Sequence, residues 1–511
     1  MRIGTDLLVC VVIALAAEQV AAQTAPSSPQ PDNNNIWQTG TGPIPGYARQ
    51  TPNVQPTTQA MPAGTPTALP AWYSQGSGIA VGGGRFYADG TVGTFYDDNV
   101  FATNVNRQHD FAFFQRPEAA WVKQGQNYTV SADGFVEGRE YSTFTSEDQI
   151  NGGVGSNFTV MPDNDTQIVG GVRYLHEHLD RGSSETVVTI PGMPSTLLST
   201  LFEHPVAYDE GLQSIAFNKR YGNWWSSIGG AGLEINYQNP IIASTGPLGP
   251  SPYGGDTVNL NYADGAIGAG NARVGYVVAP LTSVFGEAAV NTRDWGVGYF
   301  DSNGYRLVMG MLFEQGPGAR VRGEFWAGYM NQQYNGVTMQ RISTWTGGLN
   351  MIGVITNDLS AIVEAHREAK EAALGLALVT PTELAVTPAT CAAGIAVCVS
   401  NVESEAGARL DYRILPRVVI SGGVTYLEDD YQGSLAFGRI DRTLGPIAAV
   451  KYYPAPDITV GFDYRNVSFE STGGTAPPGF TTVAALPFFK DVFMLWVNAK
   501  LTAAAPPIIV K

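Results

Sequence analysis

From about residue 84 to 502 the chain alternates polar and apolar positions with a period of two, the mark of strands with one wet and one apolar face. Over 127–141, Asn127, Thr129, Ser131, Asp133, Glu137 and Arg139 share one parity, and Tyr128, Val130, Ala132, Gly134 and Val136 the other. Over 401–414, Glu403, Glu405, Arg409, Asp411 and Arg413 oppose Val402, Ala406, Ala408, Leu410, Tyr412 and Ile414. Arg320, Arg322 and Glu324 oppose Val321, Phe325, Ala327 and Tyr329, and Asp463 and Arg465 oppose Val460, Phe462 and Tyr464. Near the end, Asn498 and Lys500 oppose Phe493, Leu495, Val497 and Leu501. Helical spacing fits none of these segments.

Short turns punctuate the alternation at Gly125-Gln126, 162–165, 221–223, 279–281, 316–318, 356–358, 415–417 and 454–457. Between them fall connections of variable length, the longest at about 181–205, 240–256, 376–400 and 472–489. Short turns alternating with variable loops are the pattern of an outer-membrane barrel, turns in the periplasm and loops outside. The count predicts an all-β protein: a transmembrane antiparallel β-barrel of about 18 strands with eight turns and nine loops. Segment 359–375 has high helix propensity. As a strand it sets Glu364, His366, Glu368 and Lys370 on one face and turns Arg367 and Glu371 towards lipid, so its outer half is expected to project beyond the bilayer.

Composition agrees with a surface that does not face water alone. Of 511 residues only 14% are charged, against 44% hydrophobic and 11% aromatic. Beyond the first twenty-odd residues no run of 18 apolar residues exists, so spanning helices are excluded. A soluble propeller or sandwich would show ordinary charged surface, whereas here the apolar face carries aromatics towards strand ends (Trp121, Tyr128, Tyr412, Tyr464). The balance of 29 basic to 45 acidic residues, a net −16, argues against a nucleic-acid partner.

The first 22 residues combine Arg2, an apolar core over Leu7–Ala17 and the small-residue site Val20-Ala21-Ala22, which reads as a secretory signal peptide. A lipoprotein signal using Cys10 is the rival reading. Residues 23–83 form a Pro/Gln/Thr-rich periplasmic tether, too poor in apolar residues to offset its ordering entropy, and 84–511 the barrel. Cys391 and Cys398 remain as an even pair in an exported chain, which points to a loop disulfide; a zinc half-site lacks a nearby histidine.

The inferred lumen face carries twelve basic residues: Arg85, Arg116, Arg139, Arg173, Arg293, Arg320, Arg322, Lys370, Arg409, Arg413, Arg465 and Lys500. It carries thirteen acidic ones: Asp89, Glu118, Asp133, Glu137, Glu177, Glu287, Glu324, Glu364, Glu368, Glu403, Glu405, Asp411 and Asp463. These describe either a water-filled pore with a field across it or salt-bridged ladders in a filled lumen; 18 strands favour the aqueous interior. His176-Glu177-His178 has a zinc-chelating spacing, yet its parity with Ile168, Val172 and Tyr174 suggests an interfacial rim. Asp97-Asp98 and Glu428-Asp429-Asp430 are placed at the outer rim as solvated charge, or as holders of cations that bridge lipopolysaccharide. No metal or cofactor is otherwise implied. No G-x-S-x-G, P-loop or H-E-x-x-H motif occurs in a fitting context, and an enzyme is not expected.

Tyr96-Asp97-Asp98-Asn99-Val100-Phe101-Ala102-Thr103, after Gly93-Thr94-Phe95, resembles the first-hairpin motif of a β-barrel porin family of proteobacterial outer membranes. Some members of that family are associated with exopolysaccharide biosynthesis and export. The resemblance implies an outer-membrane porin or a polysaccharide-secretion conduit. Its partners would be membrane lipid and lipopolysaccharide, hydrophilic solutes or polysaccharide, and periplasmic export components. A non-conducting structural or adhesive barrel is the alternative.

Overall fold

The computed structural model describes residues 79–501 except 180, 183–186, 190–195, 248, 261, 314–319, 338, 357, 378–390, 392–395, 434–435, 437, 456 and 474–486. Residues 1–78, which include the segment expected to be a signal peptide and most of the expected tether, lie outside the described residues. Eighteen long strands follow in chain order. They are β1 Gly84–Asp97, β2 Asp110–Gln124, β3 Tyr128–Tyr141, β4 Gln149–Asp163, β5 Thr166–His178 and β6 Ala207–Tyr221. Next come β7 Trp224–Tyr237, β8 Gly265–Ala279, β9 Thr282–Trp295, β10 Ser302–Phe313, β11 Val321–Tyr334 and β12 Ile342–Val354. The last six are β13 Leu359–Ala377, β14 Ala396–Leu415, β15 Val418–Gln432, β16 Ile440–Ala455, β17 Ile458–Thr472 and β18 Phe488–Leu501.

Each strand pairs antiparallel with its chain neighbours, and β1 pairs with β18 from Ala88↔Leu501 to Asp97↔Val492. Closing the sheet satisfies every ladder and removes its edges, which is what a strand-built structure needs in hydrocarbon. The turns fall between β2 and β3, β4 and β5, and so on to β16 and β17, as the punctuation predicts; 316–318, 357 and 456 lie outside the described residues. The sheet reaches back past residue 84, because Ile79–Val81 folds onto the start of β1. Segment 359–375 is strand: β13 is laddered to β12 on one side and β14 on the other, and this pairing overrides its helix propensity.

The outward face carries two aromatic bands. Tyr221, Trp224, Tyr276, Tyr412 and Tyr452 are exposed near the turn end; Phe111, Tyr174, Tyr305, Tyr329, Trp345 and Phe493 are exposed in the loop half. Between them lie Ile228, Val290, Leu307, Leu410 and Val450, also exposed, so the apolar belt faces lipid and the aromatics mark its borders. Tyr464 differs from expectation: it sits mid-strand in β17, with its hydroxyl donated to Asp491 Oδ1 at 2.8 Å.

The inward face is less uniformly polar than the alternation suggests. Trp225, Phe285, Val308, Leu312 and Trp326 pack together inside β7–β11, and Phe95, Phe114, Met494 and Trp496 inside β1, β2 and β18. Trp225, Trp326 and Trp496 stand directly opposite Gly275, Gly348 and Gly461. Each indole occupies the space over its glycine, where a Cβ would overlap the ring. These three glycines let large side chains lie flat on the wall instead of projecting across the lumen.

Candidate functional site: the lumen wall and its mouth

Alternation turns one residue in two inward, and the inward charges meet both across neighbouring strands and along one strand between positions i and i+2. Arg116 on β2 reaches Glu118 at 3.3 Å and Glu137 at 3.2 Å, and stacks 4.2 Å over Phe135. Arg139 shares Glu137 at 2.6 Å, and Asp133 meets Arg173 at 2.8 Å. On the far wall Glu287 of β9 is held by Arg273 and, at 2.6 Å, by Arg306, while Arg273 also bonds Glu324 at 2.7 Å. On β13 and β14, Lys370 bonds Glu403 and lies 3.4 Å from Glu368. His366 Nε2 lies 3.5 Å from Glu403 and 3.7 Å from Glu405. Arg409 pairs with Asp411 at 3.1 Å, and Arg413 Nε donates to Asp358 at 2.7 Å. Asp463 accepts from the Trp496 indole, beside inward Arg465.

Arg293 is inward and half-buried near the loop end of β9. Arg322 holds an inward register position opposite Ile352, whereas Arg320 is exposed in the connection just before β11. Arg273 and Arg306 were not singled out by sequence, yet they complete the buried cluster around Glu287. The signal was present: each alternates with outward residues, Val274 and Tyr276 for Arg273, Tyr305 and Leu307 for Arg306. Both sit in short alternations interrupted by glycine. Lys490, paired to Asp97 at 2.6 Å, is a further unflagged inward charge. Buried ions of this kind persist only because each finds a partner of opposite sign.

His366, Glu368 and Glu403 bring ligand atoms within 4.8 Å of one another. Lys370 already sits against two of these carboxylates, so the chain supplies its own cation there. His176 lies at the outward rim, as its parity implies, bonded to Asp209 at 2.8 Å beside Tyr174. The acidic runs do not stay together. Asp97 is buried against Lys490, and Asp98 pairs with Arg107. Within β15, Asp429 turns inward to Asn401, while Glu428 turns outward to Arg442.

Across the loop end the connections fold together. In the β5–β6 connection, Arg181 makes a two-pronged pair with Glu147, at 2.6 and 2.8 Å, with both side chains almost fully buried. Val187–Thr189 then pairs in parallel with Gly375–Ala377 of β13. Phe202 bridges to Ile242 of the β7–β8 connection, and Asn106 Nδ2 donates to the Pro247 carbonyl at 3.0 Å. Leu201, Phe202, Val206, Ile242, Val258 and Leu260 form one apolar cluster; Tyr299, Phe300, Met339, Cys391, Cys398 and Val402 belong to another, and Tyr262 packs against both. Cys391 and Cys398 are joined by a disulfide with an S–S distance of 2.05 Å.

A family described as "Putative beta-barrel porin 2" matches residues 73–376. The chain belongs to this porin family. The match runs from before β1 to the end of β13, and β14–β18 complete the same closed sheet. Family and fold are those of a transport or channel barrel, and they support an outer-membrane location, where membrane lipid surrounds the wall. Similar solved structures include FpvA of Pseudomonas aeruginosa with a bound pyoverdine–iron complex (8% identity, 81% of this chain and 72% of that chain, TM-score 0.39). The siderophore receptor PirA of Acinetobacter baumannii is 6% identical over 81% of this chain and 80% of its own, with a TM-score of 0.38. The FrpB iron transporter of Neisseria meningitidis is 8% identical over 82% of each chain, with a TM-score of 0.35. At these scores the likenesses carry no functional argument. No curated protein matches the chain.

Proposed function

We propose that this porin-family barrel is a conduit for hydrophilic solutes, exported on residues 1–22 and tethered by the segment from 23 up to the strand at Ile79, whose outer mouth is closed at rest. The observation that carries closure is the parallel pairing of Val187–Thr189 with Gly375–Ala377. β5 and β13 stand eight strands apart in a ring of 18, so the connection leaving β5 must cross the mouth to reach β13. An 18-stranded barrel is wide enough for an aqueous interior. The partly exposed charges of the inner wall, among them Arg116, Glu118, Asp133, Arg173 and Glu324, present both signs to that interior, which gives weak ion selectivity. A mouth closed from outside suits cargo delivered from the periplasmic side, such as a secreted polysaccharide, better than free two-way diffusion. The barrel itself performs no chemistry.

Planar-bilayer recording of the full chain and of a variant lacking 183–195 tests this reading. The full chain should be silent or flicker briefly. The deletion should conduct steadily with a modest cation preference that added salt weakens. Steady conductance by the full chain would make it an open porin. Silence from both, with insertion verified by a heat-dependent shift in electrophoretic mobility, would leave a structural barrel.

A further inference from the structure

The outer surface of β12–β16 carries a polar row where the rows beneath it are apolar. In register, Gly347, Arg367, Ser404, Glu428 and Arg442 stand side by side on these five strands. They point away from the lumen, since the neighbouring positions His366, Glu403, Asp429 and Asp441 are the inward ones. Towards the turn end, the outward positions of β14 are Ala406, Ala408, Leu410, Tyr412 and Ile414; those of β16 are Leu444, Pro446, Ala448, Val450 and Tyr452. A tilted strand needs roughly nine to eleven residues to cross the hydrocarbon. The apolar stretch below the row has that length. A charge facing lipid is costly at the midplane and nearly free at the interface, so the row lies in the polar layer of the outer leaflet.

Two guanidinium groups in the row are presented differently. Arg367 stacks 4.7 Å over Trp345, itself 60% exposed, and donates from Nη1 to Ser404 Oγ. Among the described residues Arg367 makes no ion pair, and its Nε has no acceptor. Arg442 is propped outward: Glu428 accepts its Nε at 2.9 Å and the Tyr426 hydroxyl at 2.7 Å, and the Arg442 side chain is 42% exposed. Three strand spacings separate the two arginines, about 14 Å. A guanidinium fork matches phosphate oxygens in pairs, and exposed Trp and Tyr rings favour the border between headgroup and acyl chain.

We propose that this row binds one lipopolysaccharide molecule, with Arg367 and Arg442 each taking a phosphate of its sugar headgroup, Tyr426 packing below it and Trp345 flanking Arg367 on the loop side. Two cationic points far apart on one face suit a broad headgroup carrying two phosphates. A glycerophospholipid with a single phosphate satisfies only one. Ser404 and Glu428 are positioning residues that hold the arginines in place. Binding here is independent of what passes through the lumen.

Native mass spectrometry of the purified barrel in mild detergent, titrated separately with lipopolysaccharide, chemically dephosphorylated lipopolysaccharide and phosphatidylglycerol, tests the site. The wild-type protein should retain one lipopolysaccharide. The Arg367→Gln/Arg442→Gln variant should bind it about tenfold more weakly or worse, the loss of charge-assisted contacts. The dephosphorylated lipid should bind wild type as poorly, an arm that needs no variant to fold. Arg367→Lys keeps the charge without the fork and should fall between. Equal retention by the double variant, or equal binding of phosphatidylglycerol, would overturn the proposal. So would a dimer that Arg367→Gln abolishes while lipopolysaccharide binding stays unchanged, since the row would then be an interface between copies.

Discussion

Around the wall, every strand has a hydrogen-bonded neighbour on both sides and the β1–β18 seam leaves no edge. Across the mouth, by contrast, the described ties are separate and local: the Arg181–Glu147 pair, a three-residue parallel strip, isolated bridges at Phe202 and Ile241, the Asn106–Pro247 bond, two apolar clusters and one disulfide. The wall is a continuous ladder whose loss must be global. The cap is a set of local contacts that can open with the ladder intact, the low-stability end of the molecule from which moving parts are drawn. A conduit needs this division between a frame that never opens and a cover that can.

Perturbing the wall should therefore have the largest effect. Glu287→Ala leaves Arg273 and Arg306 facing each other on the inner wall, and breaking a buried pair typically costs about 3–5 kcal/mol. Urea unfolding of the refolded barrel should show that loss, and a change under about 1 kcal/mol would mean that the cluster is effectively in water. Gly461→Ala should come next, at about 1–3 kcal/mol, because the new methyl meets the Trp496 ring and the packed interior must shift. In the cap, reduction of Cys391–Cys398 releases a sequence separation of only 7 residues. Even if fully felt by the whole fold, this costs about 2.4 kcal/mol, so the heat-dependent mobility shift should persist. Thiol reagents applied to the native, unreduced protein should label neither cysteine. Glu147→Ala should have the smallest effect on wall unfolding, within about 0.5 kcal/mol if the cap is a separate unit. The same variant should speed proteolysis in the β5–β6 connection and raise open time in bilayers. A matching fall in the unfolding midpoint would join cap and wall into one cooperative unit.

The wall was readable because two elementary rules act on every strand: alternation fixes which side chains face in, and short turns alternate with long loops. Both gave the strand number and the inward placement of residues such as Glu137, Arg409 and Asp463. Segment 359–375 was harder, since its helix propensity and its parity disagree, and only the ladders to β12 and β14 decide between them. The cap was out of reach, because the strip joining 187–189 to 375–377 links residues nearly two hundred apart with no periodic signature. Adjacent tryptophans show how far alternation alone separates like residues. Trp224 and Trp225 look alike in composition, but one is exposed on the outer face and the other is buried against Gly275. The acidic run 428–430 looked like a cluster until alternation split it across the wall.

The seam also dictates an order of events. Asn498 on β18 bonds Asp89 on β1 across 409 residues of chain, and Asn99 bonds the Phe489 carbonyl across 390. Neighbouring hairpins can form as soon as their own residues are available. The ring cannot close until its last strand has been delivered. Contacts of such long sequence separation form late and slowly, and until then β1 keeps an unpaired edge that invites wrong partners. A nascent barrel of this design therefore stays unfinished until β18 arrives, and a chain that stops before β18 leaves an open sheet rather than a smaller closed ring.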